Sequence, residues 1–287
     1  METTDLIKKI RTIEIKTRGL TRQVFAGEYH SAFKGKGMSF SEVRSYQYGD
    51  DIRAIDWNVT ARFNHPYVKV FEEERELTVM ILVDVSASGN FGTEVAYKRE
   101  IITEISALLA FSAIQNNDKI GVIIFSDRVE KFIAPQKGKK HILRIIKELL
   151  QFTPASNSTA LDEPLKFLTN AIKKRCTAFV ISDFITPDFE KSLRIASKKH
   201  DVVALRIKDR AEASLPDIGL IKAFDPETNS EKWIDTSHKP TREAWTRWWN
   251  TLQSANDVLF KKCGVDSVMI NTSEDYVIPL MKLFKMR

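Results

Sequence analysis

Thr78-Val-Met-Ile-Leu-Val-Asp-Val-Ser-Ala-Ser88 is the stretch on which the fold of this 287-residue chain turns. Val79–Val83 is an unbroken apolar run, short for a helix and without polar alternation. It therefore predicts a strand buried on both faces, as in the interior of a mostly parallel sheet. Asp84 closes the run and Ser86 and Ser88 follow at a spacing of two, so a D-x-S-x-S loop begins where the strand ends. Open α/β sheets bind ligands outside the carboxyl ends of their strands, near the switch point. One carboxylate and two hydroxyls are expected at that place.

Working outward, apolar runs alternate with helical periodicity. Ile120–Phe125 reads as a second buried strand, with Arg128–Ile133 as an antiparallel partner across Ser126-Asp127. Thr177–Ser182 and Val202–Ile207 read as further strands. Helices are expected at Glu94–Asn116, with Ile101, Ile105, Leu108, Leu109 and Ser112 on the inner face, and at Lys139–Leu150, Asp162–Lys174 and Asp188–Lys199. Strands alternating with helices predict an α/β fold with a doubly wound, mostly parallel sheet.

Three stretches follow from the change of texture. Residues 1–76 form an N-terminal segment expected to pack on the core. It opens amphipathically (Leu6, Ile10, Ile13, Ile15) and continues as irregular loops and short strands, Phe25–Gly37 included. Residues 77–210 form the α/β domain. Residues 211–287 form a C-terminal strand and helix extension, with a turn at Leu215–Gly219 and a hairpin across Asp225–Asn229. In that extension Trp245, Trp248, Trp249, Leu252 and Leu259 mark a helix, their stripe read as packing, and a short strand at Ser267–Ile270 and a helix after Pro279 follow.

Composition narrows the class. With 43% hydrophobic and 29% charged residues, 11 Gly and 9 Pro, the chain is neither disordered nor collagen-like. No apolar run approaches the roughly 18 residues of a membrane span, and Met1–Arg11 lacks the apolar centre of a signal peptide. A cytoplasmic protein is expected. Cys176 and Cys263 have no CxxC spacing and read as buried free thiols. The net charge of +6 sits within residues 77–210, which hold 21 Lys and Arg against 15 Asp and Glu. Its lysines fall on helix-like stretches, where a solvated face is the favoured reading over a phosphate-binding surface.

Two further loops reach the volume beyond Asp84. Thr159 is expected to open the helix after the Pro154–Ser158 loop, and Asp183 directly follows the Thr177–Ser182 strand. Asp84, Ser86, Ser88, Thr159 and Asp183 are all oxygen donors, a set that suits a hard cation, Mg²⁺ or Mn²⁺, with Ca²⁺ as a further candidate. Two carboxylates against a divalent charge leave the ion electrophilic, with a position open to an acidic oxygen from another protein. The alternative is a loop whose short polar side chains cap the next helix. Gly49-Asp50-Asp51-Ile52-Arg53 and Asp56-Trp57 read as a buried ionic and turn network holding the N-terminal segment, and Gly35-Lys-Gly37 is too short for a phosphate cradle.

Asp84-x-Ser86-x-Ser88 with Thr159 and Asp183 resembles the metal-ion-dependent adhesion site of von Willebrand factor type A domains. Thr159-Ala-Leu-Asp-Glu-Pro-Leu165 is similar to that family's threonine loop, departing from it in Asn157-Ser158, where glycines are usual. By position, the resemblance implies that Ser86 and Ser88 bind the ion directly, Thr159 directly or through water, and Asp84 and Asp183 mostly through waters. Phe40–Trp57, Thr60-Ala-Arg62, Val68-Lys-Val-Phe71 and Glu73-Glu-Arg-Glu76 resemble the bacterial family called domain of unknown function 58, as do Leu215–Gly219, Asp235-Thr-Ser237 and Ser273–Tyr276. That resemblance implies action beside a MoxR-type AAA+ ATPase in protein assembly or maturation.

Enzymatic readings find little support in the residues. A haloacid-dehalogenase-type phosphatase calls for Asp where Ser86 stands. A serine hydrolase calls for G-x-S-x-G in place of D-V-S-A-S-G. His30, His65, His141, His200 and His238 are scattered. A non-enzymatic, divalent-metal-dependent protein-binding role is expected, with a metal-dependent hydrolase or a nucleic-acid-binding protein as the alternatives.

Overall fold

The computed structural model describes residues 10–17, 38–73, 77–90 and 97–287. Leu6, Phe25–Gly37, Glu74–Glu76 and the expected helix start at Glu94 lie outside them. Two units divide the chain: Phe33–Leu77, and Met1–Ala32 together with Thr78–Arg287.

In the larger unit, helix α1 (10–17) is the described part of the amphipathic opening. It buries Ile13 and leaves Ile15 at 65% exposure. Lys16 pairs with Glu104 and Glu14 with Lys139.

The smaller unit pairs β1 (Met38–Ser45) with β2 (Tyr67–Glu73) antiparallel. Between them runs helix α2 (Trp57–Phe63), where irregular chain was expected. Asp56 accepts from the amides of Asn58 and Val59 at its start, and Asn64 ends it at φ +52°. An N-cap and a left-handed stop suffice for two turns. The expected buried network is also corrected. Asp50 does bind Arg44 through both oxygens at 2.8 and 2.7 Å, and Asp51 caps a 3₁₀ turn, but Asp51, Ile52 and Arg53 are exposed.

The central sheet contains β3 (Thr78–Asp84), β4 (Lys119–Phe125), β5 (Val129–Gln136), β6 (Thr177–Ser182), β7 (Asp201–Lys208) and β10 (Asp266–Asn271), in the order β10-β7-β6-β3-β4-β5. All neighbours are parallel except β4 and β5. The expected α/β class, with a mostly parallel sheet, is the one observed. Val79–Val83 and Ile120–Phe125 are almost wholly buried, as strands covered on both faces must be.

Helices cover both faces. Met80 and Leu82 pack with Leu165 and Leu168 of α5 (Asp162–Ala171), Leu193 and Ala196 of α6 (Glu190–Lys199) and Phe260 of α7 (Lys239–Cys263). Alternation sends Val79, Ile81 and Val83 to the opposite face. There α3 (Lys98–Gln115) buries Ile101, Ile105, Leu108 and Leu109, α4 (Lys139–Gln151) follows, and Phe284 of α8 (Val277–Met286) meets Phe179 edge-on at 6.4 Å. Ser106 and Ser112, buried on α3, return their hydroxyls to the carbonyls of Ile102 and Leu108. The hairpin of β8 (Leu220–Asp225) and β9 (Ser230–Asp235) forms a separate two-stranded sheet. Cys176 and Cys263 are free and buried.

From β3 the chain steps to β4 and β5 on one side, then crosses to β6, β7 and β10 on the other. The switch point is therefore at β3, and the carboxyl ends of β3 and β6 flank it.

Candidate metal centre

Parallel register builds this site. Val83 lies opposite Ile181, so Asp84 comes level with Ser182. Ser182 Oγ donates to Asp84 Oδ2 at 2.6 Å, and the Ser86 amide donates to Asp84 Oδ1 at 3.0 Å. This second bond bends the chain out of the strand in an Asx turn. Ser86 Oγ and Ser88 Oγ then lie 3.0 Å apart. Neither serine caps α3, whose N-cap is Tyr97 without a side-chain bond.

Four loops are bonded together at this end, the one before α5 joined to each of the other three. The Ala87 amide donates to Asn157 O, the Ala160 amide to Ser126 O, and Thr186 Oγ1 to Thr159 O, each at 3.0 Å. Thr159 lies within its loop, since α5 starts only at Asp162. The expectation that it opens the helix is corrected. A buried backbone that enters no strand or helix needs other partners, and these bonds supply them.

Asp183 is held by an unusual backbone. Phe184 after it takes φ +56°, the left-handed region a bulky side chain avoids. Such strain costs about 1–3 kcal/mol and persists only where surroundings enforce it. Here Ser182 Oγ accepts from the Phe184 amide at 3.1 Å, Asn256 Nδ2 donates to the Phe184 carbonyl at 3.1 Å, and the ring packs against Phe260 at 5.1 Å. Asp183 Oδ1 accepts from the Ile185 amide at 3.1 Å.

Charge is concentrated here. Burial pushes the Asp84 carboxyl up to about 7, and the nearby Asp183 charge adds to the rise against the bonds from Ser182 and Ser86. Lys98 Nζ lies 3.3 Å from Asp183 Oδ2 and also binds Glu212. Burial alone would lower that ammonium, but the charges of Asp183 and Glu212 outweigh it and hold it above the usual lysine value. Thr159 Oγ1 donates to Glu227 Oε1 at 2.9 Å. Burial raises the Glu227 carboxyl, the Thr159 bond opposes that, and the Asp183 charge raises it again.

The five expected residues thus share one end of the sheet, with two carboxylates close enough to repel. Asp84 has no cationic partner among the described residues, so the donor set fits a hard cation. Among the described residues, no group of three or more His, Cys, Asp or Glu is placed to hold a metal. An ion here would depend on hydroxyl oxygens as much as on carboxylates.

Lys98, Glu212 and Glu227 were not anticipated from sequence. Glu212 alone leaves a local trace, since Asp209-x-x-Glu212 is a capping box around the 3₁₀ turn Arg210–Glu212. Trp245 Nε1 donates to the Glu212 carbonyl at 2.8 Å, so the tryptophan stripe supports this corner. Trp249 is buried as packing requires, whereas Trp248 stays 47% exposed.

Known proteins are similar to this chain over most of its length. An uncharacterized protein of Mycobacterium tuberculosis (strain ATCC 25618 / H37Rv) is 28% identical, the match covering 98% of this chain and 90% of that one. Among solved structures, an aerotolerance-related membrane protein from Bacteroides fragilis matches with a TM-score of 0.50 at 15% identity, over 73% of this chain and 97% of its own. The VWA domain of SpRpn10 matches with a TM-score of 0.41 at 10% identity, over 74% and 95%.

The cytoplasmic expectation is withdrawn. No helix among the described residues is long and apolar enough to cross a membrane, yet the Bacteroides fragilis protein of this fold is described as a membrane protein. Fold and missing span together do not fix a compartment. Residues 42–254 match the family described as protein of unknown function DUF58, and the chain belongs to that family.

Proposed function

We propose that this chain is a protein-binding protein that engages an acidic side chain of its partner through a divalent ion, Mg²⁺ or else Mn²⁺ or Ca²⁺. Asp84, Ser86, Ser88, Thr159 and Asp183 would hold the ion, which would supply an electrophilic position for a carboxylate. The observation that carries this reading is the buried pair Asp84 and Asp183 at the switch point, where Asp84 has no cationic partner among the described residues. A MoxR-type AAA+ ATPase or its client is the partner that the family resemblance suggests.

Catalysis draws no support from the nucleophiles. Cys176 Sγ lies 3.3 Å from His200 Nδ1, but burial pushes the thiol up to about 12 and pulls the imidazole down to about 4. Both groups are neutral, the opposite of an activated thiolate. On the basic helices, Lys139 pairs with Glu14 and Lys166 with Asp162, so these two ammoniums have partners within the chain.

Affinity capture from lysate tests the reading, using the protein in Mg²⁺, in excess EDTA, and as Asp84→Ala. Retention of one partner only by the wild type in Mg²⁺ is the expected result. Retention indifferent to EDTA and to the substitution would move the interaction elsewhere on the chain.

A further inference from the structure

Glu227 sits in an odd place for a carboxylate. It is half-buried, the charge of Asp183 acts on it, and no basic side chain pairs with it among the described residues. A group meant only to fasten the hairpin would do better as an amide, because an ionised carboxylate loses solvation there and gains no counter-charge. The turn nevertheless aims it. Asp225 Oδ1 accepts from the Glu227 amide at 3.0 Å, Asp225 Oδ2 accepts from Thr228 Oγ1 at 2.7 Å, and Asn229 takes φ +52° to close the hairpin. The result sets Glu227 Oε1 on Thr159 Oγ1, with Ser158 Oγ donating to the Glu227 carbonyl at 3.4 Å.

Thr159 is one of the five oxygen donors assigned to the cation above. A carboxylate of the chain itself is therefore hydrogen-bonded to one of the residues expected to hold the ion. We propose that Glu227 is a built-in occupant of the acidic-residue position, and that a partner's Asp or Glu binds by displacing it. This inference rests on the metal-dependent reading of the site.

The hairpin suits such a role. It shares no strand with the central sheet, and a two-stranded hairpin contributes little stability of its own. Its outer face, with Leu220, Lys222, Phe224 and Trp233, is exposed. Tethering also makes Glu227 a strong competitor, since a group on a short linker acts at roughly millimolar effective concentration. Partner affinity is then set against a fixed internal reference, and free carboxylates at low concentration are excluded.

Mn²⁺ alone is the probe for the test, titrated calorimetrically into wild type, Glu227→Gln, Glu227→Asp and Asp84→Ala, with amide exchange of residues 220–235 followed in Mn²⁺ and in EDTA. Glu227→Gln keeps the Thr159 hydrogen bond and removes only the charge. The expected result is Mn²⁺ affinity about tenfold weaker in Glu227→Gln, largely retained in Glu227→Asp, and hairpin amides that slow when Mn²⁺ is added to the wild type. Wild-type affinity in Glu227→Gln, with hairpin exchange indifferent to Mn²⁺, overturns the proposal and leaves the metal site standing. No Mn²⁺ binding by the wild type overturns the metal reading, and this inference falls with it.

Discussion

Lys98 at the start of α3 places its ammonium 3.3 Å from Asp183 Oδ2, its side chain only 2% exposed. The same ammonium binds Glu212, so one lysine neutralises carboxylates from the ends of two neighbouring strands, β6 and β7. Removing one member of a buried ion pair leaves uncompensated charge, which costs about 3–5 kcal/mol. Lys98→Met is expected to lose stability on that scale in EDTA. Added Mg²⁺ should recover more of it in the variant than it adds to the wild type. Urea denaturation with and without Mg²⁺ measures both, and an unchanged midpoint would show that the pair contributes nothing net.

Gly121 in β4 marks a close approach. A Cβ there would meet Met80 Sδ at 2.8 Å, Ile133 O at 2.9 Å and Pro135 N at 2.9 Å. Two of the three are backbone atoms of β5, at the register irregularity between Ile120 and Val122, and cannot swing aside. Gly121→Ala should destabilise by about 1–3 kcal/mol, as overpacking does, while leaving divalent binding intact. Parallel denaturation and Mn²⁺ titration would separate the two effects.

His200 should give the fold an acid sensitivity independent of the metal site. Burial, then the charges of Lys199 and Arg175, hold its imidazole at about 4, against about 6.5 when unfolded. The unfolded chain therefore takes up more protons between those values. Stability from this group is complete above about 6.5 and is lost progressively as pH falls toward 4. In His200→Leu this part of the acid loss should vanish, seen as a smaller stability difference between pH 7 and pH 4.5 than in the wild type.

The contrast between strands and site explains what sequence could show. Thr177–Ser182 was legible to the residue because a strand buried on both faces is apolar throughout and is bounded by polar chain. Helix ends were less legible. α5 stops at Ala171 and not Lys174, because Ile172 turns extended to bury its side chain before β6. α6 starts at Glu190 because Asp188 takes φ +57°. Asp84, Ser86 and Ser88 were readable because one loop carries them. Lys98 and Glu227 reach the same volume from α3 and from a hairpin 68 residues beyond Thr159, and neither has a local pattern that announces its partner.

Asp84 should show a conflict between stability and binding. Its carboxyl is buried beside Asp183 and has no cationic partner among the described residues, so without a divalent ion the charge opposes the fold. Asp84→Asn keeps an oxygen for the Ser86 amide and turns its nitrogen toward Ser182 Oγ, which can accept. In EDTA the variant is therefore expected to be more stable than the wild type. In Mg²⁺ the order should reverse, because an ion bound only by the folded wild type at 100 times its Kd stabilises it by about 2.7 kcal/mol, and the variant forfeits that gain. Thermal unfolding of both proteins in EDTA and across a Mg²⁺ series decides the matter. A variant no more stable in EDTA would show that Asp84 and Asp183 do not repel appreciably. A variant that Mg²⁺ stabilises as much as the wild type would remove Asp84 from the ligand set. Together the two readouts separate the electrostatic cost of the site from its capacity to bind, quantities that a single measurement in one buffer would merge.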